Sequence, residues 1–391
     1  MLGLPWDFAC PRERGYARNI ELVIPDGQSL IEKHLRQRAH TYWHGEGDLA
    51  NLRLIRKVER PAARLYWYEV QGAGGRHRIV VKVHTGTGHA HSTAVRALRA
   101  AEEHVPNRYE REVVALTRLN EHFAALADLR FGTIPILDAI PSARAIVTEH
   151  VVGVPMTSLF VRASRLYPGG SGALDEAIVN AGGWLGAWQT VSIPNLITRR
   201  STRAEFVDLV ARYCDFLAQT VGDADRFAHL RTVASRAAHR LFPADLPLAV
   251  GHGDFAMRNI LVRPAGGVVV LDTLGVWEAP IYEDLATFAL AARLFRAQAY
   301  LAGIPFGEPL LRKLEKLLLE GYGERLGEVQ NEQVDLYSLL LLLDTWASTV
   351  VPARHRSRGP IRVRLLTRWY AREMDRLLSR TGTAGPSADG T

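Results

Sequence analysis

Cysteine is nearly absent. Cys10 and Cys214 are the only two in 391 residues. They cannot build a disulfide framework and neither sits in a metal-ligand spacing, so a reducing cytosol is the simplest home. Long apolar runs are missing too. The best candidate, Leu339 to Leu343, is stopped by Asp344 and then Pro352, which excludes a membrane-crossing helix at that place. The stretch Met1 to Arg14 carries an acid at Asp7 and no continuous apolar core, so no secretory leader is expected. No internal repeat and no nucleic-acid reading motif is visible, so nucleic acid is not an expected partner. His84, His89 and His91 lie close together, but no carboxylate or thiol completes a zinc set locally, and they read as a solvated loop. What remains is ordinary for a globular chain, 47% hydrophobic and 23% charged residues, long enough for two lobes and a sizeable core.

The most informative stretch is His252-Gly253-Asp254-Phe255-Ala256-Met257-Arg258-Asn259, with a second aspartate, Asp272, closing the run Val268-Val269-Val270-Leu271. Asn259 leads into Ile260-Leu261-Val262-Arg263, and Pro264-Ala265-Gly266-Gly267 is a turn signal. The spacing therefore predicts a hairpin that brings the Asp254–Asn259 loop and Asp272 together. Phosphoryl transfer needs that arrangement. One carboxylate faces the attacking hydroxyl, and an amide oxygen and a second carboxylate meet at Mg²⁺ beside the phosphates.

These residues resemble the kinase catalytic loop, H-R-D with an asparagine five residues after the aspartate. More closely, the chain resembles the aminoglycoside phosphotransferase family, the small-molecule branch of the kinase-like fold that includes choline and fructosamine kinases. That branch writes H-G-D and carries Asp-Leu-Ala beyond the metal aspartate, here Asp284-Leu285-Ala286. Neither D-F-G nor A-P-E follows the hairpin. The chain reads Asp272-Thr273-Leu274-Gly275, which argues against a protein kinase.

The resemblance implies an α+β, two-lobed protein-kinase-like fold, with a small antiparallel-sheet lobe and a larger, mainly helical lobe. The expected division is an N-terminal extension with one helix (1–50), a small nucleotide-binding lobe and hinge (51–150), a helical catalytic and substrate lobe (151–380) and a disordered tail (381–391). In the extension, Ser29 and Glu32 look like a capping box, with Leu30, Ile31 and Leu35 on the apolar face.

The implied chemistry is transfer of a γ-phosphate from ATP, with Mg²⁺, to a hydroxyl of a small molecule, a sugar or glycan that is free, phosphorylated or lipid-linked. Asp254 would orient the hydroxyl and take its proton, and Asn259 and Asp272 would hold Mg²⁺. Lys82 is the central cation of Ile79-Val80-Val81-Lys82-Val83. A lysine inside such a strand is costly unless its ammonium meets anions, and phosphates with a carboxylate would supply them. Glu112 is that carboxylate by the family pattern, ahead of Glu110. No glycine stands in Arg60-Pro61-Ala62-Ala63-Arg64, where a phosphate-covering loop belongs, so main-chain amides and Arg64 are the candidates there. In Ala145 to Gly153, which resembles the inter-lobe hinge, the carbonyl of Thr148 and the amide of His150 would read adenine. His252, Gly253 and Asp284 would support the loop. Trp277, in Gly275-Val276-Trp277-Glu278, would stack on a sugar or pack in the core.

Charge is uneven. Net charge is +7, and nine arginines between Arg354 and Arg380 face only Glu373 and Asp375 there. Arg364, Arg368, Arg372, Arg376 and Arg380 recur every four residues, one stripe of a helix beside the apolar stripe Leu366, Tyr370, Met374, Leu377 and Leu378. Two readings stay open: an anionic membrane surface, with the chain peripheral at the inner membrane face, or a terminal helix docked on the large lobe with its arginines paired. The basic end gives a polycationic aminoglycoside acceptor no support. It does not exclude one, so the alternatives are a catalytically idle, nucleotide-binding kinase fold or an aminoglycoside-type antibiotic kinase.

Overall fold

The computed structural model describes residues 27–38, 41–42, 51–60, 62–72, 75–85, 107–164, 172–295, 298, 300–301, 303–351 and 360–382. Within these, a small lobe is built on a five-stranded antiparallel sheet in the order β1-β2-β3-β6-β5. The strands are β1 (Asn51–Arg60), β2 (Ala63–Gly72), β3 (Gly75–His84), β5 (Ile136–Ile140) and β6 (Ala145–Glu149), while β4 (Phe131–Gly132), β7 (Val154–Pro155) and β8 (Ile197–Thr198) belong to two further small sheets. Both faces are covered. On one, helix α1 (Gly27–Arg38) inserts Ile31 and Leu35 among Tyr66, Tyr68, Val70, Ile79, Val81 and Val147. Asp138 ties the helix down. It pairs with His34 at 2.9 Å and Arg38 at 3.3 Å, and accepts from Tyr42 Oη at 3.0 Å. On the other face, helix α2 (Arg108–Leu126) packs Tyr109 and Leu116 on Ile146. That face also carries Lys82, because Lys82 stands opposite Leu65 and Ile146 and directly opposed residues share a face.

α1 departs from expectation in two details. It already runs from Gly27, so Ser29 lies inside it rather than capping it, and Leu30 is exposed, leaving Ile31 and Leu35 as the buried pair.

The large lobe is mainly helical. Helix α3 (Met156–Arg162) leads to α4 (Gly172–Gln189), whose Trp184 and Trp188 are fully buried and stacked 6.1 Å apart. Burial of each such side chain contributes on the order of 2–3 kcal/mol. The small residues of α4 serve close helix contact, as its composition predicts. A Cβ on Gly182 would stand 2.1 Å from the Leu318 carbonyl oxygen of the neighbouring helix α8 (Glu308–Leu326). Helices α5 (Arg203–Val221), α6 (Ala224–Leu241), α7 (Tyr282–Arg293), α9 (Asn331–Val350) and α10 (Pro360–Gly382) complete the lobe.

The expected hairpin forms. β10 (Ile260–Val262) pairs antiparallel with β11 (Val268–Val270), Ile260 opposite Val270. Beside it, β9 (Leu248–Gly251) pairs with β12 (Trp277–Pro280), Gly251 opposite Trp277. The Asp254 loop thus runs from the end of β9 to the start of β10, and Asp272 leaves β11 at the same end. Trp277 is a packing residue: it is buried on β12 with the Arg199 guanidinium 4.4 Å from its ring.

The arginine stripe divides. Arg376 pairs with Glu373 at 2.8 Å and Glu308 at 3.3 Å, and Arg380 with Asp335 at 2.9 Å and Glu315 at 3.2 Å. Arg364, Arg368 and Arg372 face outward, Arg372 over Trp369. α10 buries Val363, Trp369, Tyr370, Met374 and Leu377, so the docked reading describes its last two turns. Thr381, expected in the tail, is buried in the helix and its hydroxyl donates to the Leu377 carbonyl. Residues 383–391 of the tail, Arg354, Arg356, Arg358, His89 and His91 lie outside the described residues. No helix among those described is long and apolar enough to cross a membrane.

Candidate active site

Three side chains from distant places meet through one ammonium. Lys82 Nζ donates to Glu112 Oε1 at 2.7 Å and to Asp272 Oδ1 at 2.8 Å. Burial opposes charge on Lys82, but Glu112 and Asp272 outweigh it and its pKa is raised. Burial also opposes charge on Glu112, and there Lys82 and His84 prevail, so the carboxyl stays ionised below its usual range. Asp272 is likewise held at about 2, its burial overcome by Lys82 and by Arg60, whose guanidinium lies 3.9 Å away. Asp272 has a φ of +60°, a left-handed backbone that non-glycine residues enter at a cost and that clusters at working sites. That turn points its carboxylate back toward the sheet.

Beside this trio, Asn259 Nδ2 donates to both the main-chain carbonyl and Oδ2 of Asp254, each at 2.9 Å. With its amide nitrogen committed, Asn259 presents its carbonyl oxygen elsewhere. The Leu271 amide donates to the main-chain carbonyl of Asn259 at 2.7 Å, which locks the two hairpin ends together. Asp254 is 47% exposed and also ion-pairs with Arg258, four residues on. Burial raises its carboxyl pKa by more than Arg258 and Asn259 pull it down, so the net shift is upward.

The frame below the loop is continuous. His252 is buried, and burial pushes its imidazole down to about 4, so it is neutral. Its Nδ1 accepts from the Asp254 amide at 3.3 Å and its Nε2 lies 3.1 Å from the Leu271 carbonyl, which fixes the Nε2–H tautomer. Asp284, in the first turn of α7, accepts from the amides of His252 at 2.6 Å and Gly253 at 3.0 Å. Burial and neighbouring Glu283 push its carboxyl up to about 7 against those two amides.

Sequence reasoning missed a second tier. Glu283 is buried and pairs with Arg199, with Arg200 at 3.4 Å and with the Tyr337 hydroxyl at 3.1 Å. Arg199 then carries Trp277, so α7, β12 and the segment before α5 are braced as a unit beneath the loop. Gly275 is also unmarked by any motif. Its φ is +55°, and a Cβ there would lie 2.7 Å from both Ala115 Cβ and Ile193 Cδ1. Ala115 sits on α2, three residues past Glu112. Gly275→Ala is therefore expected to push α2 away from Lys82 and to lower transfer activity at least tenfold. It should also cost about 1–3 kcal/mol of stability, read by kinetics and urea unfolding side by side.

Three expectations need correction. Arg64 stands opposite Val83 and Glu59, on the sheet face away from Lys82, with Glu59 as its neighbour at 3.8 Å. Arg60, opposite Ala63 and so in register with His84 and Lys82, faces the site instead. At the hinge, the His150 amide is already spent on the Arg78 carbonyl at 3.0 Å. Thr148 stands opposite Val80, the next hydrogen-bonded pair of that ladder, so neither main-chain group is left for adenine. His84 belongs to no solvated loop: it ends β3, is buried, and its Nε2 lies 3.1 Å from Glu112 Oε2.

A model of the phosphotransferase enzyme family matches residues 68–327. The chain belongs to that family. Among solved structures, an aminoglycoside phosphotransferase-type protein of Ralstonia eutropha aligns with TM-score 0.55 at 12% identity, over 90% of this chain and 96% of that one. A thermostable mutant of the aminoglycoside phosphotransferase APH(4)-Ia, solved with AMP-PNP and hygromycin B, aligns with TM-score 0.50 at 15% identity, over 91% and 99%. A choline/ethanolamine kinase family protein of Mesorhizobium loti aligns with TM-score 0.49 at 13% identity, over 90% and 99%. No curated protein matches in sequence. At such identities the first two of these structures show the fold, the two-lobed α+β kinase-like arrangement described above.

Proposed function

We propose that this phosphotransferase moves the γ-phosphate of ATP to a hydroxyl of a small molecule, a sugar or a glycan, with Asp254 as base. The observation that carries the reading is the junction of Lys82, Glu112 and Asp272 beside the Asp254–Asn259 pair. Buried charges at this density are costly without a task, and shifted pKa values of both signs gather where catalysis is done. The acceptor oxygen bonds to Pγ as the bond from Pγ to the bridging oxygen breaks, its electron pair leaving with ADP. Asp254 receives the hydroxyl proton. Lys82 neutralises the α/β-phosphates and Glu112 holds it there. Arg60 takes the part expected of Arg64. The Val151 amide, which alternates in direction with that of His150 and enters no backbone bond among the described residues, takes the adenine edge.

Mg²⁺ fits the donor set. Asn259 offers an amide oxygen and Asp272 a carboxylate, both hard, and no cluster of three acidic, histidine or cysteine ligands exists among the described residues, as suits an ion that keeps water and phosphate in its shell. Bound there, it would neutralise charge on the transferring phosphoryl group.

Lys82→Ala is expected to weaken productive ATP placement, lowering kcat/KM for ATP by roughly 10²-fold, about 2.7 kcal/mol of transition-state stabilisation. Glu112 and Asp272 then repel each other, so unfolding should be followed in parallel. The test of the function itself is transfer from γ-labelled ATP into a cell extract, with mass spectrometry of the product. No label in any hydroxyl compound would sink it.

An aminoglycoside acceptor finds no support in the charge around the site. A peripheral membrane role now rests on Arg364 and Arg368, since Arg376 and Arg380 are paired. Co-sedimentation with anionic vesicles that persists in 0.5 M salt would speak against simple surface attraction, which is already screened beyond about 8 Å at physiological ionic strength.

A further inference from the structure

The cleft carries more cation than ATP chemistry asks for. Arg258 lies inside the catalytic run, ion-paired with Asp254, and is itself 58% exposed. Its backbone is fixed: it sits in the turn Met257–Asn259, between two buried neighbours, and the Asn259 amide donates to the Ala256 carbonyl at 2.8 Å. Only the side chain can swing, and its reach covers the place where an acceptor hydroxyl must meet Asp254. Arg108 opens α2 one turn before Glu112, on the helix face turned toward Lys82. The acids around the loop are already engaged: Glu112 and Asp272 by Lys82, Glu283 by Arg199 and Arg200, Asp284 by two amides. A polycationic acceptor would meet guanidinium where it needs free carboxylate.

We propose that the acceptor carries an oxyanion, a phosphate or carboxylate, near its reactive hydroxyl, and that Arg258 leaves Asp254 to bind it. A guanidinium matches such a group with paired N–H donors. As the two side chains stand, the same guanidinium covers the carboxylate that must accept the proton. The arriving anion therefore does two things: it anchors the substrate and it uncovers the base. Arg258 is a specificity residue that also positions Asp254. The inference rests on the phosphotransfer reading above, with water as the acceptor to be excluded. When water attacks, its oxygen bonds to Pγ, the bridging bond breaks toward ADP, and Asp254 takes a water proton. The Arg258 latch disfavours that reaction until an anion arrives.

Three measurements on the full chain test this. With AMP-PNP and Mg²⁺ saturating, inorganic phosphate and acetate are titrated by calorimetry into wild type and Arg258→Gln. Wild type should bind at least one of them, and R258Q at least tenfold more weakly, with AMP-PNP affinity changed less than about threefold. ATP hydrolysis without acceptor should rise severalfold in R258Q. Finally, extract is divided on anion- and cation-exchange resins before labelling, and acceptor activity should lie in the anion-exchanger eluate. Comparable anion binding by R258Q, or none by wild type, overturns the proposal. So does a collapse of AMP-PNP affinity in R258Q, which would assign Arg258 to the triphosphate. Acceptor activity retained by the cation exchanger overturns it as well. Failure of wild type to bind AMP-PNP would remove the phosphotransfer reading itself, a separate outcome.

Discussion

Asp254→Asn should lower phosphate transfer by about 10²–10⁴-fold, the range lost when a positioned general base is removed, while ATP affinity stays within a few-fold. The two expectations are separable because Asp254 bonds neither Lys82 nor Arg60, the cations assigned to the triphosphate. It bonds Asn259, Arg258 and, through its amide, His252. Asparagine keeps size and shape and can still offer an oxygen to Asn259 Nδ2. What it cannot do is accept the hydroxyl proton, or hold Arg258 as a counter-ion. Single-turnover transfer and nucleotide titration on one preparation give both numbers. Full activity in the variant would remove Asp254 from its role, and loss of ATP binding alone would mean the residue serves the nucleotide.

Much of the site was legible because its signals are local. A β-branched run, a Pro–Gly turn and a second run specify a hairpin, and a hairpin places the residues at its open end together without further information. Lys82 was legible for an energetic reason, since a lysine in the middle of a strand must find anions. The errors share a cause as well. Strand side chains alternate with period two, so choosing Arg64 over Arg60 turns on sheet register, which the sequence of β1 and β2 alone does not fix. Main-chain amides alternate in the same way, and His150 fails where Val151 remains.

The braces were invisible for a different reason. Glu283 meets Arg199 and Arg200 across more than eighty residues, and nothing at either end announces the other. Gly275 carries no local signal at all, because the atoms that exclude a side chain there belong to Ala115 and Ile193. The arginine stripe is the same case at larger scale. Its periodicity predicts a helix, yet which arginines are answered depends on acids from α8 and α9.

Arg293→Met carries the largest expected cost in stability, about 3–5 kcal/mol, the range for removing one partner from a buried ion pair. Arg293 is 1% exposed and meets Glu315 at 2.6 Å, Glu308 at 2.9 Å and Glu373 at 3.8 Å. Methionine fills most of the stem's volume, so the loss reports charge rather than cavity. Arg376 and Arg380 still face the same acids, which keeps the cost from exceeding that range and makes α10 the element most exposed to it. Burial raises the Glu308 carboxyl, but Arg293 and then Arg376 hold it at about 2. Its contribution is therefore complete above the ordinary carboxylate pKa, near 4.3, and is lost as pH falls toward 2. Urea unfolding of wild type and variant should differ most near neutral pH and converge in acid. Arg364→Ala, at an outward position of the same helix, should stay within about 0.5 kcal/mol of wild type. Equal stability of R293M and wild type at pH 7 would show that α10 is not seated through this network, and would reopen the membrane-surface reading of its arginines.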